Sequence, residues 1–230
     1  MASFDFTVIL NNLPFLMKGL GVTVQLALLT IIFSLILGTV LGSLRFLKIP
    51  VISWLVAGFI EITRAIPLII YIVFIHYTIS SYIFYELNLK SLIHLQSTEM
   101  QSGLIALTLF TSAYIAEIVR SGLNSIDREQ VYAARSLGFD TKQMLAYLFI
   151  PLALYRMTPA LLAQFVTLIK DTSLVSAIGL IELTRTGEFI YDNSNKELEV
   201  LIIIALIYFT ICFLLSRLAK KITDKPFLTN

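Results

Sequence analysis

VTVQLALLTIIFSLILGTVLGSL, residues 22–44, fills a gap between Lys18 and Arg45 that contains no charged residue. A helix needs about 20 apolar residues to cross a hydrocarbon core, so this run is long enough to span a bilayer by itself. Outward from it, the gaps between charges serve as a ruler for the rest of the chain. A second apolar run covers about 54–82 but contains Glu61, Arg64 and Pro67. A third covers about 103–119 and ends at Glu117 and Arg120. A fourth covers about 145–169, interrupted by Pro151, Arg156 and Pro159, and a fifth covers 200–216. Alternating segments of about 10 residues, the mark of a β-barrel span, are missing. The chain therefore reads as an all-α integral membrane protein with about five transmembrane helices.

Composition agrees. Of 230 residues, 57% are hydrophobic and only 14% are charged, and the mean hydropathy is +0.86. A soluble chain keeps about a quarter of its residues charged to cover its surface, so a soluble enzyme is excluded along with disorder. The single Cys212 lies in an apolar run, and a net charge of +2 points to no nucleic-acid partner. The N-terminal MASFDFTVIL has neither a basic leader region nor a small-residue cleavage site, so the first span is expected to be a mature one. Without an internal repeat or low-complexity tract, residues 1–230 read as a single transmembrane domain.

Five spans put the termini on opposite sides, and the basic residues choose the side. Arg45, Lys48, Arg120, Arg128, Arg135, Lys142, Arg217, Lys220, Lys221 and Lys225 fall in one set of loops. The opposite set has Lys18, Lys90, Arg185 and Lys196 among Glu86, Glu99, Glu182, Glu188, Asp192, Glu197 and Glu199. The N-terminus is therefore expected outside and the C-terminus in the cytoplasm. A cytoplasmic loop at about 121–147 and two outer loops at about 86–99 and 174–199 are long enough to carry function.

The cytoplasmic loop contains amphipathic helical pieces on either side of Gly138. Ala133 and Ala134 offer a smooth helix surface, and Gly138 tolerates the left-handed backbone that ends such a helix. From physics alone this is either a knob for a soluble partner or a helix resting on headgroups. The sequence here resembles the coupling loop in membrane subunits of ATP-binding-cassette (ABC) importers, which carries Glu-Ala-Ala, three residues, Gly, nine residues, Ile, one residue, Leu, Pro. This chain has Tyr132, Ala133 and Ala134, three residues to Gly138, nine to Leu148, then Phe149, Ile150 and Pro151. Tyr132 stands where the family often has Glu. The resemblance extends over nearly the whole chain and is nearest to the polar amino acid permeases of histidine, glutamine and glutamate/aspartate type. Their second span carries a stretch like Glu-x-x-Arg-Gly-Thr-Pro-Leu, and residues 61–68 here are EITRAIPL. Their fourth span ends in a segment like Lys/Gln-Asp-Thr-Ser-Leu-Val, matched by residues 170–175, KDTSLV. The resemblance implies the type I importer permease fold in a bacterial inner membrane. It also implies a dimer with an identical or homologous permease, two cytoplasmic ATPase subunits gripping the loop, and an extracytoplasmic substrate-binding protein. ATP and Mg would be bound by the partner ATPase; this chain has no GxxxxGK[ST] phosphate loop.

Charges inside a span need an explanation, since each costs at least ~2.5 kcal/mol. Glu61 and Arg64, three apart on one helix face, either pair structurally or form a substrate site. In the second reading Arg64 grips an amino acid carboxylate bidentately and Glu61 or Asp171 takes the ammonium. Pro67 is placed to break the helix beyond them and free carbonyls. Gln164, Thr167 and Asp171 share a polar face of the fourth span, either an inter-helix seam or a translocation lining. The resemblance favours the lining for Asp171, Thr172 and Ser173. Arg156 is a gate candidate or a snorkelling side chain. Gly38 and Gly42 permit close helix contact, and His76 and His94 lack companions for a metal site. No catalytic residue is expected. The function that emerges is import of a polar or charged amino acid, with a weak preference for glutamate, aspartate or glutamine. An ion-coupled secondary transporter and a structural membrane subunit are the alternatives.

Overall fold

A computed structural model describes residues 6–80 and 97–224, and among these every regular element is helical. Helix α1, Phe6–Phe46, extends the uncharged run in both directions and accommodates Pro14. Its 41 residues reach about 60 Å, roughly twice the thickness of a hydrocarbon core. Helix α2, Pro50–Ala65, starts on a proline whose fixed φ suits a first turn. It stops at Ile66 and Pro67, both in extended backbone, because proline disfavours the α conformation of the residue before it. Helix α3, Leu68–Phe74, follows and widens into a π-helical turn at Ile75–Ser80.

Segments Pro50–Ala65 and Leu68–Thr78 meet at 109°. The long second span expected at 54–82 is thus corrected to a broken pair, with the break at the proline. Counting that pair as one span gives five helical units among the described residues that are long and apolar enough to cross a membrane; the others number four.

Helix α4, Thr98–Asn124, begins at Ser97, whose side chain accepts from the Met100 N–H at 3.2 Å. It is the most buried of the long helices, because small residues line its contacts. The α1 glycines serve this packing: a Cβ on Gly38 would stand 2.9 Å from the Ser112 carbonyl, and one on Gly42 2.5 Å from that of Ala116. The pair sits against α4, so backbones approach as only glycine allows.

Helix α5, Arg128–Ser136, ends before Gly138, whose φ is +82°. Asp140 and Gln143 then form a reciprocal cap that starts α6, Thr141–Met144. A π-helical turn at Leu145–Phe149 carries α6 into α7, Ile150–Asp171. Pro151 falls in the first turn of α7, where its missing N–H costs little, and the helix continues through Arg156 and Pro159. The interruptions expected there do not occur.

A 3-10 turn, Thr172–Ile178, ends at Gly179 with φ +91°. Helix α8, Leu183–Ser194, occupies much of the expected outer loop at 174–199, which is therefore folded structure that packs on α1 and α9 through Leu16, Leu183, Ile190 and Ile204. Helix α9, Glu197–Thr223, completes the bundle. Of the other outer loop, at 86–99, residues 86–96 lie outside the described residues, as do His94 and Lys225.

Neighbouring residues fix the helix directions. Gly42 of α1 meets Val119 of α4, Gly122 of α4 meets Met157 of α7, and Gly103 meets Val175 beyond the α7 end. Tyr208 of α9 reaches the same carboxylate as Thr23 of α1. The C-terminal ends of α1, α4 and α9 and the start of α7 therefore gather at one end, with α5 and α6.

Candidate functional site

The α2 break leaves Arg64 exposed at the side of the bundle, over α4. Its guanidinium carbon lies 5.0 Å from the centroid of the Tyr114 ring, and Tyr114 is three residues, about 5 Å, beyond the midpoint of α4. Among the described residues Arg64 has no carboxylate within ion-pair distance. The last turn of α2 ends against Pro67, which leaves carbonyl oxygens there without intrahelical donors. A cavity of about 320 Å³ opens beside it, lined by Arg64, Tyr114, Glu117, Ser121, Ser125 and Arg156 with Ile118, Gly122, Met157 and Ala160.

Glu117 is the electrostatic hub of that cavity. It accepts from Arg45 Nη1 at 2.5 Å and from Arg120 Nε at 3.0 Å, with a second contact to Arg120 Nη2. Arg45 also approaches Glu61 at 3.8 Å. A carboxylate between two guanidiniums is neutralised where an isolated charge would be costly. The second open cation is Arg156, which donates to the Ser125 carbonyl and lies 4.0 Å from Asp127. The cavity therefore offers two guanidiniums, hydroxyls and a compensated carboxylate, a set suited to a small zwitterion or anion.

Sequence expectations meet this geometry unevenly. Arg64, Pro67 and Arg156 come together at the cavity and the break. Glu61 does not join them: its side chain is 74% exposed and turns to Arg45. Gln164, Thr167 and Asp171 continue, at helical spacing, the α7 face on which Met157 and Ala160 border the cavity. Asp171 is 15 residues beyond Arg156, about 22 Å along an unbroken helix, so one amino acid cannot bridge Arg64 and Asp171. The Thr167, Thr172 and Ser173 hydroxyls donate to carbonyls of their own helix turns, at 3.2, 2.7 and 2.7 Å, and Thr172 is fully buried. Tyr132 and Ala133 are exposed and Ala134 is buried on α5.

The sequence reading places Arg45, Glu117 and Arg120 at span ends, with the two arginines among the cytoplasmic basic residues, and assigns none of them to a site. A usable signal is present: Tyr114, Glu117, Ser121 and Ser125 repeat at helical spacing and make one polar stripe along the C-terminal half of the helix and its cap. A second missed residue is Glu182. It is fully buried, caps α8 by accepting from the Thr184 and Arg185 N–H groups, and accepts from Thr23 and Tyr208 hydroxyls. It thereby ties α1, α8 and α9 together. Burial raises its pKa above the ordinary carboxylate value, and the four donors oppose that rise. His76 is bound to Ser102 at 3.1 Å, and no cluster of three or more His, Cys, Asp or Glu suited to a metal occurs among the described residues.

A broken helix, a polar cavity beside it and an all-helical bundle define a membrane permease. The chain belongs to the family of binding-protein-dependent transport system inner membrane components, which it matches over residues 31–225. It is 37% identical over 215 residues to the probable glutamine ABC transporter permease protein GlnP of Bacillus subtilis, covering 92% of this chain and 94% of the relative. It is 28% identical over 220 residues to the glutamate/aspartate import permease protein GltK of Escherichia coli, with 96% and 97% covered. A solved amino acid ABC transporter with histidines superposes with a TM-score of 0.81 at 29% identity, over 95% of this chain and 97% of that one. The MetNI methionine ABC transporter, inward facing, shares the fold with a TM-score of 0.69 at 21% identity, over 93% and 99%. The resemblance to amino acid ABC permeases and the type I fold are thus borne out, and the chain is a multi-pass transport component of the inner membrane.

Proposed function

We propose that this chain is the permease of an ATP-driven importer for a polar amino acid, glutamine, glutamate or aspartate, with the cavity at Arg64 on the substrate path. One observation carries the reading: Arg64 stands at a helix break beside the cavity with no carboxylate partner among the described residues. A substrate carboxylate satisfies it with two parallel hydrogen bonds. The ammonium finds the carbonyls at the end of α2. Gln164, Thr167 and Asp171 line the path further along α7, and Thr172 and Ser173 shape its end.

ATP and Mg bind to partner ATPases, two in number, that grip the segment around α5 and α6. Tyr132, Leu137 and Tyr147 expose large apolar surface on that segment, as a docking knob requires. Tyr132, Ala133, Ala134, Gly138 and Pro151 form and position the knob, and the coupling segment covers about 121–147 of one domain, 1–230. A second permease, identical or homologous, completes the path, and a binding protein delivers substrate on the opposite face. The N-terminus is periplasmic and the C-terminus cytoplasmic, as the clustering of basic residues at the α5 and α6 end supports.

The test is substrate uptake and ATPase rate in proteoliposomes containing the full complex. Arg64→Ala should lower uptake by at least about 100-fold, the scale of a lost charged hydrogen-bond pair, while ATPase subunits remain bound. Uptake with unchanged apparent affinity would remove Arg64 from the path.

A further inference from the structure

On another side of the bundle α1, α7 and α9 part and leave a groove of about 610 Å³. Its wall from α9 includes Ile211, Leu214, Leu218 and Ile222, facing Leu28 of α1 and Phe165 of α7. Thr23, at the far end, is the one polar residue among those that line it. Leu28, Leu214, Leu218 and Ile222 are each more than half exposed, so the groove opens outward and its surface is unpartnered among the described residues.

Length and charge identify what fits. Along α9 the groove covers residues 211–222, about 16 Å, close to half of a ~30 Å hydrocarbon core. It is therefore one leaflet deep. Its lower end lies on the side of α5 and α6, since Lys220 and Pro159 of early α7 share an adjoining cleft. Arg217, Lys220 and Lys221 stand there on exposed turns, opposed on α9 by Asp224. Arg217 stacks on Phe213 at 5.1 Å, which leaves its N–H edge available to an anion. A flexible hydrocarbon chain fits an apolar groove that is one leaflet deep and ends beside basic side chains.

We propose that the groove holds an acyl chain of an anionic phospholipid from the leaflet on the α5 and α6 side, with the phosphate held by Arg217, Lys220 and Lys221. The lipid then cements α9 to α1 along the length where the two helices diverge. Lysine and arginine stems suit this role because they run along apolar surface and extend their charges to the headgroup level.

The experiment uses the full-length chain in detergent, titrated with phosphatidylglycerol or with phosphatidylcholine, and bound lipid counted by native mass spectrometry. A photoactivatable phosphatidylglycerol maps the site by peptide mass. The proposal expects a phosphatidylglycerol preference and cross-links within residues 23–31 and 211–222. It also expects a loss of phosphatidylglycerol affinity on the order of 100-fold in the triple variant Arg217→Gln, Lys220→Gln, Lys221→Gln, from roughly fivefold per charge removed. All three side chains are exposed, so that variant should fold. Leu28→Trp, which fills the groove from an exposed position, should abolish the cross-links without changing the charges. Equal binding of both lipids, an unchanged preference in the triple variant, or cross-links elsewhere would each overturn the proposal. So would disulfide-type cross-linking of Leu218→Cys to a second copy of the chain, which would make the groove a subunit interface.

Discussion

Replacing Glu182 by Ala removes the acceptor shared by three helices. The Thr23 hydroxyl keeps the Gly19 carbonyl at 3.2 Å and the Tyr208 hydroxyl keeps Thr184 at 3.3 Å, so neither is stranded. The Thr184 and Arg185 N–H groups, bound to the carboxylate at 3.0 and 2.9 Å, lose their partners at the start of α8. Each of these part-buried N–H groups, left without a partner, costs about 1–3 kcal/mol. A net loss of about 3–4 kcal/mol follows, or roughly 6–16 °C in Tm at about 2–4 °C per kcal/mol. The assay is thermal unfolding of the purified full-length chain. The pH sign is determined by burial, which raises the folded-state pKa of Glu182 above its unfolded value. Its stabilisation is complete below the unfolded pKa and falls as pH rises through the folded one. The stability gap between wild type and Glu182→Gln should accordingly shrink with rising pH from about 4.5 upward. A Glu182→Ala variant melting within about 2 °C of wild type, or a gap that widens with pH, would refute the burial argument.

Gly42→Val should destabilise the chain by about 1–3 kcal/mol or more, seen as a lower Tm, because even its Cβ would stand 2.5 Å from the Ala116 carbonyl and 2.8 Å from the Val119 Cβ. Gly138→Ala meets nothing within 4 Å, but its φ of +82° strains any side chain by about 1–2 kcal/mol; Tm should fall slightly, while ATPase stimulation by substrate falls more. Arg156→Ala should leave Tm within about 1 kcal/mol equivalent, since its approach to Asp127 at 4.0 Å is partly exposed. Uptake should nevertheless drop at unchanged ATPase binding, because the same side chain ties α7 to the Ser125 carbonyl at the head of the coupling segment; a matched loss of binding would assign it a purely structural role.

Spans were legible wherever lipid alone decides the sequence. Residues 22–44 could be placed from the absence of charge because nothing but hydrocarbon tolerates such a run, and α1, α4 and α9 all contain the segments read that way. Pro67 was legible as a break for a similar local reason: it removes a donor and pushes Ile66 out of the helical region. The 109° angle was not, because it depends on how α2 and α3 pack on α4 through Ile60 and Ile72, far away in sequence. Prolines 151 and 159 misled for the opposite reason. A proline in a first turn costs little, and the α7 contacts hold the helix together across the second.

The polar residues divide along the same line. Arg64 announced itself because an unexplained cation in an apolar run is rare, and the structure leaves it facing a cavity. Glu117 and Glu182 were read as a span end and a loop acid, since their positions at segment boundaries supplied a sufficient local explanation. What distinguishes them is the company brought by other helices: Arg45 from α1 to one, Thr23 from α1 and Tyr208 from α9 to the other. Both are carboxylates that also have partners at least 26 residues away on another helix, and both join α1 to a later element. A sequence window sees a charge and its neighbours on the same helix; it sees Glu117 with Arg120 and misses Arg45, 72 residues earlier. The same network that neutralises Glu117 leaves Arg64 without a carboxylate, so the residue legible from sequence owes its availability to residues that were not.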